Sequence, residues 1–274
     1  MNTLLKYPLG YVLIISLCSI FINACSMESS PWDVNVDAEY QDLTRKHLDA
    51  LYARDPIVND DGDFTFAIVG DPQGTPADFK AAIDEINRHD NVNFILILGD
   101  MTDYGLLHEY EWAAQVIVES SVPVLTVIGN HDAISHGKDI YTDMFGPLDY
   151  VIEYAGFRFA MWNNNLYEFG VTNFEWLKNN LDENTIVASH VPPVQDMHNA
   201  EQLDEWLAIN RDKQILGSLH GHRGGKNSFY WETDETPYYV VARNRGERFA
   251  IVTIDSEREI NILECTGKCP EEVE

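Results

Sequence analysis

Five apolar runs in this chain end in chemically demanding residues: Asp71 after "IVG", Asp100 after "LILG", Asn130 after "TVIG", His190 after "VAS" and His222 after "LHG". Carboxylate, amide oxygen and imidazole together make a mixed oxygen and nitrogen donor set. Such a set suits Zn, Mn or Fe better than Ca or Mg alone. Taken singly, each ending has an ordinary explanation, because an aspartate after glycine serves turns and helix caps and a strand-end histidine is usually a satisfied surface residue. Their recurrence at one strand end after another points instead to a shared polar rim, where α/β proteins bind ligands.

That rim needs strands to deliver it. Residues 26–62 read as an acidic lead-in, helical over "AEYQDLTRKHLDALYARD", that packs on the main domain. Next come "DFTFAIVG", "VNFILILG" and "VPVLTVIG", separated by helices in "TPADFKAAIDEINRH" and "LLHEYEWAAQVIVES". Runs this apolar need burial on both faces, which argues for a mostly parallel sheet. Phe79, Ala82, Ile83 and Ile86 share one face of the first of these helices, with Thr75 as its cap and Pro76 at its first position. Beyond Gly129, "YVIEYAGFRFAMW" reads as a hairpin, and "TNFEWLKNNL" as a helix opened by a capping box from Thr172 to Glu175. The strand "NTIVASH", the helix "AEQLDEWLAI" and the strand "KQILGSLH" follow, and "TPYYVVARN" with "ERFAIVTIDS" forms a closing antiparallel pair.

The series "GDPQ", "GDMTDYG", "GNHD", "SH" and "GH", in this order, resembles the calcineurin-like metallophosphoesterase superfamily over roughly residues 64–225. "GDMTDYG" followed by "GNHD" is the specific part of the signal. The resemblance implies an α/β fold, a four-layer α/β/β/α sandwich of two mixed sheets flanked by helices, over residues 63–262. It also implies one or two divalent or trivalent metal ions at the strand ends, with Mn, Zn or Fe ahead of Mg or Ca. On that mapping Asp100 bridges two ions, Asp71 and Gln73 bind the first, and Asn130, His190 and His222 bind the second. His131 meets the phosphate and protonates the leaving group, and Asp132 orients it. The implied reaction is hydrolysis of a phosphomonoester or phosphodiester by metal-activated hydroxide, with no phospho-enzyme. Asp103 reads as a support residue or helix cap.

Two departures fall on the same ion. Gln73 and Gly224 stand where the family carries imidazoles, so the first site is expected to be weak or empty. His220 shares a face with His222 if the strand persists, which makes it either a further donor or a residue that lines the pocket or bonds a ligating carboxylate. Arg223 is a turn residue or a phosphate fork, joining Asn130 and His131 on the substrate; Arg243 and Arg245 have a similar claim. Trp162 in "AMWNNNLYEFG" either contacts substrate or fills the gap between sheets. With one metal or none, the alternative is a noncatalytic binding protein on the same fold.

Composition narrows the ligands. The 274 residues carry 18 basic and 45 acidic side chains, a net charge of -27, which excludes electrostatic attraction to nucleic acid or an anionic membrane. A small phosphorylated substrate fits that surface better than a long polyanion. Residues 1–24 read as an export signal, and "INAC" resembles a lipobox that leaves Cys25 as a lipidated N-terminus. The other reading, a membrane-spanning anchor, is short of the roughly 20 apolar residues a bilayer needs. Either way the rest of the chain is expected outside the cytoplasm, periplasmic or on the cell surface; on the lipobox reading a lipid on Cys25 is its membrane contact. In the tail, residues 263–274, Cys265 and Cys269 either close a disulfide or stay free, and two cysteines alone make a poor zinc site.

Overall fold

The computed structural model describes residues 30–196, 199–223, 228–233 and 236–270. The expected export signal, Cys25 and Gly224 lie outside the described residues. Residues Val34–Glu274 form one unit and Met1–Asp33 another.

In chain order the elements are α1 (Leu43–Tyr52), β1 (Phe64–Val69), α2 (Pro76–Ile86), β2 (Val92–Ile97), α3 (Leu107–Val118), β3 (Val124–Thr126) and α4 (Gly137–Phe145). They continue with β4 (Tyr150–Tyr154), β5 (Phe157–Met161), α5 (Leu166–Phe169), α6 (Phe174–Asn180), β6 (Thr185–Ala188), α7 (Pro193–Asp196) and α8 (Ala200–Lys213). The last strands are β7 (Gly217–His220), β8 (Phe229–Thr233), β9 (Thr236–Val240), β10 (Arg248–Ile254) and β11 (Ile260–Thr266). They build a five-stranded sheet, β11-β10-β1-β2-β3, and a six-stranded sheet, β4-β5-β6-β7-β9-β8.

Burial on both faces explains the unbroken apolar strands. In β1 and β2, Phe64, Phe66, Ile68, Phe94 and Leu96 point between the sheets, where Phe159 and Met161 of β5 and Ile186 of β6 meet them. Phe66 stacks on Phe94 with ring centroids 5.1 Å apart, and Phe159 packs edge-on against both. Ala67, Val69, Ile95 and Ile97, on the opposite face, join Phe79, Ile83, Tyr110, Ile117 and Tyr141 of α2 to α4. Ala160, Trp162 and Val187 turn from the second sheet toward Phe174 and Leu177 of α6 and Trp206 of α8. Three apolar interfaces therefore separate four layers, the expected α/β/β/α sandwich.

Several local expectations are corrected. "TPYYVVARN" and "ERFAIVTIDS" are not partners: β9 runs parallel to β7 in the second sheet, and β10 lies antiparallel to β1 and β11 in the first. The segment joining them crosses between sheets at an isolated bridge of Gly70 with Arg243. Trp162 fills the space behind the second sheet, stacked on Trp206 at 5.6 Å, and not the gap between sheets. Helix α6 is capped by Asn173, whose side chain accepts from the Trp176 N–H, in place of a Thr172–Glu175 box. Thr75 precedes α2 without capping it, because its hydroxyl donates to the Pro72 carbonyl. Strand β11 carries the chain past residue 262, and Cys265 in it is disulfide-bonded to Cys269.

The lead-in helix α1 closes a sheet edge. The outward N–H of Val124 in β3 donates to His47 Nδ1 at 3.2 Å, and that of Thr126 to the Tyr150 hydroxyl at 3.1 Å. An edge strand with its donors taken up no longer templates pairing with another chain.

Candidate metal centre

The turns that follow the strands aim their side chains by unusual backbone geometry. Asp71, Asp100 and His222 take φ of 42°, 54° and 68°. Few non-glycine residues adopt this left-handed region, and such strain persists where surrounding structure holds it, often at functional sites. Two glycines let the strand ends approach. A Cβ on Gly99, at φ +86°, would lie 2.5 Å from His190 Nδ1, and one on Gly221 would lie 2.7 Å from Asp71 Oδ1.

Asp100, Asn130, His190 and His222 are brought together. His190 Nε2 lies 3.0 Å from Asn130 Oδ1, 3.2 Å from His222 Nδ1 and 3.3 Å from Asp100 Oδ1, while Asn130 Oδ1 is 2.9 Å from His222 Nδ1. Ligands about 2.1 Å from one ion sit about 3.0 Å apart in octahedral and about 3.4 Å apart in tetrahedral geometry, so these spacings fit a single transition metal. Among the described residues, Asp100, His190 and His222 form the one group of His, Cys, Asp and Glu side chains able to share an ion. His190 Nδ1 donates to the Leu98 carbonyl at 2.7 Å, which leaves Nε2 as the donor atom facing the cluster. Burial pushes the fully buried His190 imidazole down, but Asp100 and then Asp71 overcome it and lift its pKa to about 9. Asp100 responds to the same pairing: burial raises its carboxyl, and His190 with the His131 N–H holds it below the ordinary range.

The remaining expected residues divide differently. Asp71 lies beside the cluster, its Oδ1 accepting from the His222 N–H at 3.0 Å, and burial lifts its pKa to about 6. Gln73 donates its backbone N–H to the Asp100 carbonyl at 3.0 Å. With its amide turned to satisfy both neighbours, it donates to the Thr102 carbonyl at 2.9 Å and accepts from Arg243 Nη2 at 2.8 Å. His131 sits next to the donors, its N–H bonded to Asp100 Oδ1 at 3.0 Å. Its ring is held by Nδ1 donating to the Asp103 carbonyl at 2.9 Å, a bond that does not engage Nε2.

Asp132 does not orient that ring. Its carboxylate accepts from Thr102 N–H, the Thr102 hydroxyl and Gly129 N–H, at 2.9, 3.0 and 2.9 Å, tying together the turns after β2 and β3. Asp103, expected as a support, supplies support through its backbone carbonyl; the cap of α3 is Glu109, which accepts from the N–H of Tyr104 and of Leu106. His220 does not reach the cluster or a ligating carboxylate. Strand β7 ends at His220, and the positive φ of His222 breaks the alternation that would have put both on one face. The His220 ring lies on Tyr238 and bonds Ser189 instead. Arg223 is ion-paired with buried Asp196 at 2.6 Å, and Arg245 is exposed, its backbone N–H donating to the Arg243 carbonyl at 2.7 Å.

A pocket of about 190 Å³ opens beside Asn130 and His222, lined also by Asn164, Asn165, Leu166 and Val191. Asn164 bonds both the N–H and the carbonyl of Val191, and Asn165 donates to the Ile128 carbonyl, so these amides brace the pocket. The sequence signal for them was the "NNN" run at the end of β5.

A donor cluster at the strand ends of a two-sheet α/β sandwich defines a metallophosphoesterase architecture. The family model for calcineurin-like phosphoesterases matches residues 64–224, and the chain belongs to that family. Similar solved structures include GAP50, the anchor in the inner membrane complex of Plasmodium, at 14% identity, 77% of this chain, 87% of that chain and TM-score 0.59. Purple acid phosphatase PPD1 from yellow lupin (Lupinus luteus) is similar at 14% identity and TM-score 0.59 over 78% of this chain and 53% of that one. TT1561 of Thermus thermophilus is similar at 11% identity and TM-score 0.50, over 74% of this chain and 99% of that one. These likenesses are of fold. No curated protein matches the sequence.

Proposed function

We propose that the chain is an exported, metal-dependent phosphohydrolase that cleaves a small phosphomonoester or phosphodiester. The observation that carries this reading is the four-donor cluster of Asp100, Asn130, His190 and His222 with His131 braced beside it. A bound Mn, Zn or Fe ion supplies Lewis acidity toward a phosphoryl oxygen and a lowered pKa for water. His131, its Nδ1–H committed to the Asp103 carbonyl, presents Nε2 to the leaving-group oxygen and, as the imidazolium, gives it the Nε2 proton, ending as the neutral ring. The pocket beside Asn130 and His222 receives the alcohol portion, with Asn164 and Asn165 holding its wall.

Export, with a lipid on Cys25, is supported by the apolar N-terminal run ending in "INAC" and by the Cys265–Cys269 bond, which suits an oxidising compartment. No described helix is long and apolar enough to cross a membrane. A second reading, a noncatalytic binding protein on the same fold, is favoured by the engagement of Gln73 with Arg243 in place of a metal. The Plasmodium neighbour, titled an anchor, illustrates such a use of the fold. Against it stands His131, since a scaffold has no need of an acid braced beside a donor cluster.

Elemental analysis paired with hydrolysis of aryl phosphate mono- and diesters separates the readings. The expected result is at least one transition metal per chain and Mn- or Zn-stimulated turnover. In His131→Ala turnover falls about 10²- to 10⁴-fold with metal retained, and in Asn130→Ala both metal and turnover are lost. Stoichiometric metal without turnover under any reconstitution establishes the binder.

A further inference from the structure

The first-metal position, which the family mapping assigns to Asp71, Gln73 and an imidazole at Gly224, does not fit a metal in this chain. Arg243 is already there. Its Nε lies 3.9 Å from Asp71 Oδ2 and its Nη2 2.8 Å from the Gln73 amide oxygen. Asp71 is completely buried, and its Oδ2 has no hydrogen-bond partner; the guanidinium lies nearest that oxygen, with the His190 imidazole also acting on the carboxylate. The approach is built into the backbone. Arg243 bridges Gly70, the residue before Asp71, and Asn244 donates its N–H to the Gly70 carbonyl at 2.7 Å.

We propose that Arg243 replaces the first metal ion: the chain binds one metal, at Asp100, Asn130, His190 and His222, and the guanidinium is the second positive charge of the site. A guanidinium stays protonated at any pH a folded protein meets, so it cannot yield to an incoming cation by losing its charge. A divalent ion seated on Asp71 would face it across a few ångströms of buried space. Gln73 occupies a single donor of the five-donor fork, and the Arg243 side chain is 31% exposed, which leaves donors for an oxyanion. Resting on the phosphoester reading, Arg243 then clamps the phosphoryl oxygen that a second ion would otherwise hold.

The test reads metal and phosphate without turnover. Purified protein is titrated with Mn(II), followed by elemental analysis and electron paramagnetic resonance, and inorganic phosphate binding to the loaded protein is measured by calorimetry. Wild type is expected to take up one Mn(II) with the spectrum of an isolated ion. Arg243→Ala is expected to keep that ion and lose about tenfold or more in phosphate affinity, the scale of a lost charge-assisted fork. If Arg243→Ala does not fold, Arg243→Lys, which keeps the charge beside Asp71 and loses the fork, is expected to weaken phosphate by at least about threefold. No bound Mn(II), two spin-coupled ions in wild type, or phosphate affinity untouched in the variant overturns the proposal. One ion with Arg243-dependent phosphate binding and no hydrolysis would sustain it while removing the hydrolase reading.

Discussion

Asp132 adjoins His131 in sequence, yet the turn after β3 separates their partners: the His131 ring goes to the Asp103 carbonyl, and the Asp132 carboxylate to Thr102 and Gly129. The aspartate therefore positions loops and does not bond the His131 ring. Asp132→Asn puts an amide N–H against one of the N–H groups that the carboxylate now receives, and should lower stability by about 1–3 kcal/mol in urea denaturation. Turnover per folded, metal-loaded molecule should fall less than tenfold, far short of His131→Ala. A large loss of kcat at unchanged stability would return Asp132 to the chemistry. The ligand types were legible because each follows an apolar run, where residue chemistry changes abruptly. The contacts of Arg243, named only as a candidate phosphate fork, and of Asp103, named only as a support or cap, were not: one meets Asp71 from a distant part of the chain, and the other acts through a backbone carbonyl common to all residues.

Strands were legible from apolar runs, but their sheet membership was not. Both β9 and β10 are β-rich and adjacent in sequence, which suggests a hairpin; their partners are chosen by the two-sheet core, which periodicity does not encode. Helix α1 shows the same limit, since its service to the edge of β3 depends on His47 meeting a backbone N–H far along the chain. That contact has a pH signature. Burial, helped by Lys46, lowers the His47 pKa from 6.5 to about 4. Between those values the unfolded chain binds a proton that the fold refuses, so this group's contribution is full above pH 6.5 and declines as pH falls toward 4. The loss amounts to at most about 3 kcal/mol. His47→Gln keeps an acceptor without the titration, so its urea stability should fall less steeply over that window. Parallel curves for the two proteins would show that His47 is not the acid-sensitive contact.

At the scale of the whole molecule, the net charge of -27 acts on every ligand before any contact is made. The field of so many carboxylates reaches about 30 Å at 0.01 M salt and about 8 Å at 0.15 M. On the proposed reading, a small phosphoester that reaches the rim answers mainly to local charges, a bound metal and Arg243. A long polyanion also feels the rest of the surface. At 0.01 M salt, kcat/KM should therefore fall as a series of substrates with the same leaving group is lengthened by added phosphates. Raising NaCl to 0.2 M should recover about tenfold for the longest member, within the range electrostatic steering covers, and change the shortest by less than about threefold. The sign is the decisive feature, because screening helps a repelled ligand and hinders an attracted one. Rates that rise with polyanion length at low salt, and fall on adding NaCl, would mean that the rim's cations outweigh the acidic surface and that the substrate is a long polyanion after all.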